Sequence, residues 1–155
     1  MRKIVYTRSD GGLSVVTPVI NTQGEASDFT EAQAEQRAWN KLPDDAINPR
    51  WADPTEIPSS REFRNAWEDV GTVQVNMPKA REIHKDWLRK LRKPLLSELD
   101  VAYQRADEIG DVAEKQRIAA EKQVLRDITA HPGIEAAQTP DELISVGVML
   151  MKVQP

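Results

Sequence analysis

Cysteine is absent from this 155-residue chain. That removes disulfides, thiolate nucleophiles and zinc–thiolate sites together. Histidine is nearly absent too. His84 and His131 lie far apart in sequence, and neither has a second ligand at the i, i+4 spacing a metal site needs, so no metal and no cofactor are expected. His84 reads as a boundary residue of a helix face, and His131 as a helix C-terminal residue favoured by the dipole. The N-terminus, MRKIVYTRSDGG, has no apolar run behind its basic pair, and no stretch is long and apolar enough for a membrane span. The expected setting is a cytoplasm, with no membrane partner. Aromatic side chains are few, 5% of the chain, and four of the eight are tryptophan. A few large anchors must therefore hold the packing. No internal repeat or low-complexity segment is present.

Charged residues make up 30% and apolar residues 39%, with a formal net charge of −4, the profile of a folded soluble protein. Carboxylate pairs such as Asp44/Asp45, Glu98/Asp100 and Asp107/Glu108 are numerous, but they fall in loops or on solvent faces, where a solvated charge is the simpler reading. Ser9-Asp10-Gly11-Gly12 opens no helix and so lacks phosphate-loop geometry. No catalytic residue is assigned, and no enzyme is expected.

What is present is an α+β pattern: a small N-terminal antiparallel β-sheet, a hairpin plus one strand, followed by a long antiparallel helical hairpin. Arg2–Thr7 and Leu13–Val19 are rich in β-branched residues and flank the Asp-Gly and Gly-Gly pairs of a tight turn. Thr30 and Gln33 have capping-box spacing, which predicts a helix over Glu31–Leu42 burying Ala34, Ala38, Trp39 and Leu42. Pro43, Pro49, Pro54 and Pro58 make the next stretch an extended connector with room for one short strand. Arg61–Trp67 would bring Phe63, Ala66 and Trp67 together in a helical turn. Thr72–Asn76 alternates as a third strand, able to pair with the hairpin. Such a sheet needs a cover on one face, which the long helices are expected to supply.

From Pro78 onward the spacing becomes helical. Ala80, Ile83, His84, Trp87, Leu88 and Leu91, then Leu95, Leu99, Ala102, Tyr103, Ala106 and Ile109, recur at three and four. Trp87 on this stripe reads as core. The phase continues across Pro94, favouring one kinked helix over two. Gly110-Asp111 supplies a left-handed C-terminal residue and a cap for the next helix. The return helix, Val112 to Ile128, is expected to bury Val112, Ile118, Ala119, Val124, Leu125 and Ile128, leaving Glu114, Arg117 and Glu121 outside. Thr139-Pro140-Asp141-Glu142 starts a short helix, and Val146–Val153 ends it or forms a strand. The segments are thus 1–77, a small α+β domain with its connector; 78–130, the hairpin; and 131–155, a short helix and apolar tail.

One electrostatic feature rises above background. Lys79–Lys93 holds seven basic side chains against Glu82 and Asp86, a net +5 that leaves −9 for the remainder. Its simplest reading is a solvated face paired with acidic neighbours. Docking onto an acidic protein surface comes next, and a phosphate backbone last. The candidate partner-binding residues are Lys85, Arg89, Lys90, Arg92 and Lys93 on this run, Trp51 and Trp67 as aromatic contacts, and Met149 and Met151 in the apolar tail.

The hairpin carries Arg92-x-x-Leu95-Leu96-x-x-x-Asp100 and, after the turn, Gln123-x-Leu125-Arg126-Asp127-Ile128. In these it resembles the C-terminal part of bacteriophage tail-fibre assembly and tail-assembly chaperone proteins, over about a third of the chain. The stretches VYTRSDGG and FRNAW are similar to prophage proteins encoded among tail genes. The resemblance implies a protein acting by protein–protein contacts in tail-fibre assembly or attachment, in the host cytoplasm. Its implied partner is a tail fibre or another tail protein. A tail or neck adaptor kept in the virion is the second reading, and a small protein that binds nucleic acid or blocks host defence is the third. The apolar stripe leaves open a homo-oligomer, since it can close on its own return helix or on a symmetry mate.

Overall fold

A computed structural model describes residues 1–20 and 29–152, with the side chains of 148–152 left aside. The chain divides into two compact units, Met1–Asn76 and Met77–Pro155. The terminal segment from 131 belongs with the hairpin rather than standing apart.

In the first unit β1 (Lys3–Thr7) is the centre of a three-stranded antiparallel sheet, flanked by β2 (Leu13–Val16) and β3 (Ile47–Ala52). The hairpin turn is as expected from Asp10-Gly11-Gly12. Gly11 has φ +78°, and Asp10 Oδ1 accepts from the Gly12 N–H at 2.8 Å. The third strand is not Thr72–Asn76. It is β3, inside the proline-rich segment, paired so that Ile4 faces Trp51 and Val5 faces Arg50. Proline was no obstacle because the register slips between Val5 and Thr7, where Asn48 takes φ +50° and Pro49 follows. A bulge is one of the few places in a ladder that tolerates a missing N–H.

The stretch containing Thr72–Asn76 forms β5 (Val73–Val75), which pairs only with β4 (Trp67–Asp69) in a separate two-stranded ribbon. Asp69 leads into the turn through Gly71, at φ +99°. The cover of the sheet also comes from within the unit. Val5, Leu13 and Ala52 pack with Trp67 and Val73 from the ribbon, joined by Val15, Ile57 and Val75. Strand alternation sends Ile4 and Trp51 to the opposite face. There Trp39 of α1 (Glu31–Asn40) stacks on Trp51 at 5.1 Å between ring centroids. The Thr30/Gln33 capping box starts α1, with Thr30 N–H donating to Gln33 Oε1 at 2.7 Å. Ala34 is fully buried there, whereas Ala38, Trp39 and Leu42 are only half-buried. A single 3-10 turn, Arg64–Ala66, gathers Phe63, Ala66 and Trp67 into the core.

The second unit is helical. α2 (Met77–Glu108) runs continuously through Pro94. Gly110, at φ +72°, then closes the helix with two bonds, Asp111 N–H to Ala106 O and Gly110 N–H to Asp107 O. This is the Schellman pattern. Asp111 caps α3 (Val112–Asp127) by accepting from the Glu114 N–H at 2.9 Å. Two ion pairs, Asp100–Lys122 and Asp107–Lys115, step by seven residues on each helix in opposite directions, so they mark an antiparallel register. Tyr103 lies between those lysines, with the ammonium groups 5.2 and 5.6 Å from its ring.

The seam is narrower than the return helix suggested. Ile118, Leu125 and Ile128 are buried, but Ala119 is exposed and Val112 and Val124 are more than 60% exposed. A two-helix contact covers only one stripe of α3, and the side chains one position off that stripe stay in solvent. Ile109, expected on the seam, is 80% exposed because it is the last residue before the left-handed Gly110. α4 (Pro132–Ala136) and α5 (Pro140–Lys152) complete the unit. Thr139 starts α5, accepting from Glu142 N–H and Leu143 N–H. The helix then continues through Val146 to Lys152, so this tail is not a strand. Ile134 and Leu143 are fully buried.

Candidate partner-binding surface

Arg81, Lys85, Arg89 and Arg92 of the basic run are committed to groups in their own unit. Lys85 bridges Glu82 at 2.9 Å and Glu135 at 2.7 Å, and the two carboxylates hold its ammonium above the usual lysine range. Arg89 pairs with Asp86 one turn back. Arg81 donates to the Ala137 carbonyl at 2.8 Å. Arg92 reaches across the hairpin to the carbonyls of Leu125 and Arg126 at 3.2 and 2.5 Å. These are among the last carbonyls of α3, which lack intrahelical donors and carry the negative end of its dipole. Lys90 and Lys93 are exposed and make no ion pair among the described residues.

The tryptophans separate differently from the sequence expectation. Trp67 is 3% exposed and sits in the core of the first unit, so it offers no surface to a partner. Trp51 is half-buried between Trp39 and the Arg2 guanidinium, which lies 4.6 Å from its ring. Arg2 is itself held by Glu35, to which it donates at 2.6 Å. Trp87, read as core, is 44% exposed. It stacks on His84 at 5.5 Å between ring centroids. Met149 and Met151 lie outside the residues whose side chains are described.

His84 is buried, not a boundary residue, and its surroundings explain a glycine in a helix. A Cβ on Gly147 of α5 would stand 2.7 Å from His84 Cε1, 3.0 Å from Nε2 and 3.1 Å from the Trp87 ring. α5 therefore approaches α2 by backbone at this point. Burial pushes the His84 imidazole below its ordinary 6.5, because desolvation disfavours the charged form. His131 closes the 3-10 turn Ile128–Ala130 that follows α3, its N–H donating to the Ile128 carbonyl at 3.4 Å. It starts α4, with Nδ1 accepting from the Gly133 N–H at 3.1 Å.

In the first unit the strongest polar group is Arg50. Its guanidinium takes both oxygens of Asp69, at 2.8 and 2.9 Å, and Glu56 at 3.0 Å, while also donating to the Trp51 carbonyl. The pairing keeps the Asp69 carboxyl below its ordinary range, and the Asp53 N–H, followed by Arg50, does the same for Glu56. This arrangement ties β3 to the ribbon and uses up its charges internally, so it is a structural clamp. Among the described residues no group of three or more His, Asp or Glu side chains is placed to hold a metal. No described helix is long and apolar enough to cross a membrane.

Sequence reasoning missed the outward apolar positions. Trp87, Val101, Ile109 and Val112, all on or beside the long helix, are 44, 46, 80 and 63% exposed. A signal for the first two was available. A second 4-3-4-3 spacing, through Trp87, Leu91, Pro94, Glu98 and Val101, runs beside the seam stripe. No family model, curated protein or solved structure matches the chain.

Proposed function

We propose that this is a bacteriophage tail-region protein that works in the host cytoplasm by protein–protein contacts, assisting assembly or attachment of the tail fibre. The observation that carries the reading is Arg92. The two stretches that resemble tail-fibre assembly proteins, Arg92–Asp100 and Gln123–Ile128, are remote in sequence, yet the Arg92 guanidinium hydrogen-bonds the carbonyls of Leu125 and Arg126. Leu125 and Ile128 are buried beside them. Arg92 thus ties the start of one resembling stretch to the end of the other, across the helical hairpin. Exposed apolar side chains along the hairpin suit contact with another polypeptide, and the reading asks for no catalytic group.

The test is co-expression with the tail-fibre polypeptide encoded in the same gene cluster, together with mass spectrometry of purified particles. An assembly factor raises the yield of soluble, oligomeric fibre and is missing from particles. Presence in particles at fixed stoichiometry would replace this reading by that of a tail or neck adaptor. No effect on the fibre and no presence in particles would remove both. Nucleic-acid binding is the weaker reading, since Lys85 and Arg89 are neutralised by carboxylates and Arg81 and Arg92 are turned onto carbonyls.

A further inference from the structure

The outward stripe of α2 passes through Trp87, Leu91, Pro94, Glu98, Val101 and Arg105, at intervals of four, three, four, three and four. Such spacing keeps one face of a helix in line over about 27 Å at 1.5 Å per residue. The stripe is distinct from the buried positions of α2, which include Leu88 and Ala106. Trp87 and Val101 are close to half exposed, Leu91 is half-buried, and Pro94, Glu98 and Arg105 are exposed. Large apolar side chains in a line on a solvent face indicate a missing neighbour.

Charge selects that neighbour. Glu98 and Arg105 make no ion pair among the described residues, and the same holds for Lys90, Lys93 and Glu108. The unpaired lysines lie toward the start of the stripe, Glu98 near its middle, and Arg105 and Glu108 toward its end. A copy laid parallel would set Glu98 against Glu98 and lysine against lysine. A copy laid antiparallel, with the two-fold axis near Val101, brings Glu98 within a helical turn of Arg105 of the second copy, and the reverse. The same placement sets Lys90 and Lys93 opposite Glu108 of the second copy. Leu91 and Pro94 become level with Ile109 and Val112 of that copy, the two most exposed apolar residues of the hairpin.

We propose that the chain forms a two-fold homodimer through the Leu91–Ile109 part of this face of α2, with the helices antiparallel and Val101 at the axis; Trp87, which packs close to α5, lies beyond the overlap. The interface is isologous, so each unpaired charge meets its opposite twice. It is independent of which tail protein the chain serves.

The test uses the full chain in sedimentation velocity over a concentration series. A reversible monomer–dimer equilibrium is expected. Glu98→Arg and Arg105→Glu each set like charges together across the axis and should weaken the dimer about tenfold or more. The double variant E98R/R105E exchanges the partners and should restore it. Both positions are exposed, and unchanged circular dichroism will show that each variant is folded. A chain that stays monomeric throughout would overturn the proposal. A dimer indifferent to either single reversal, or one that the double reversal fails to restore, would overturn it equally.

Discussion

Trp67 and Trp87 are chemically identical and are used in opposite ways by the two units. In the first unit Trp67 lies beneath a sheet that is covered on both faces, with Val5, Leu13, Ala52 and Val73 around it. In the second, Trp87 lies 44% exposed on α2, stacked on His84 and close to Gly147 of α5. A small sheet needs an apolar face packed under a cover to be stable. A helical hairpin can persist with one seam closed and another stripe open, because its backbone hydrogen bonds are satisfied within each helix. The first unit thus buries its tryptophan, and the second leaves one 44% exposed.

The substitution expected to have the largest effect breaks the enclosed side of this comparison. Trp67→Ala should cost the first unit about 3–5 kcal/mol, read from urea unfolding by near-ultraviolet circular dichroism. Trp87→Ala should cost the second unit visibly less, and equal losses would refute the contrast between the two tryptophans. Pro94→Ala should act in the other direction. Proline in a helix interior costs about 3 kcal/mol relative to alanine, so restoring an N–H within continuous α2 should stabilise the second unit by up to about that amount in thermal unfolding. A loss instead would mean that the helix needs the proline.

Gly147→Ala tests how closely α5 approaches α2. The added methyl would collide with His84 and Trp87, and an overpacked contact of this kind costs about 1–3 kcal/mol. Gly110→Ala should cost about 1–2 kcal/mol, the penalty for a side chain in left-handed backbone, measurable as a lower urea midpoint for the helical unit.

The smallest effect is that of pH on His84. Its imidazole is held below 6.5 in the folded unit, so the unfolded chain binds the extra proton first. The stability that neutral His84 contributes is fully present above pH 6.5 and falls as pH drops below it. His84→Gln should flatten this part of the pH–stability curve, and an unchanged slope would show that another group is responsible.

Local chemistry made much of this fold legible. The Asp10-Gly11-Gly12 turn, the Thr30/Gln33 box, Gly110-Asp111 and Thr139-Pro140 are signals written in adjacent residues, and each element begins or ends where they indicate. Strand pairing was not legible in the same way. Thr72–Asn76 alternates better than Ile47–Ala52, which contains Pro49, yet β3 joins the sheet because Asn48 can adopt the left-handed conformation that makes a bulge. The candidate surface was legible only in part. The basic run is plain in the sequence, but the partners of Lys85 and Arg92 lie 50 and 34 positions away, and only folding brings them within reach.

The sequence by itself determined the α+β class, the turns and caps, and the positions that can line a helix face, since these depend on residues three or four apart. The tertiary structure decided which stripe of α2 closes against α3 and which stays open. Periodicity permits both stripes, and burial is a property of what packs opposite, which no local spacing contains.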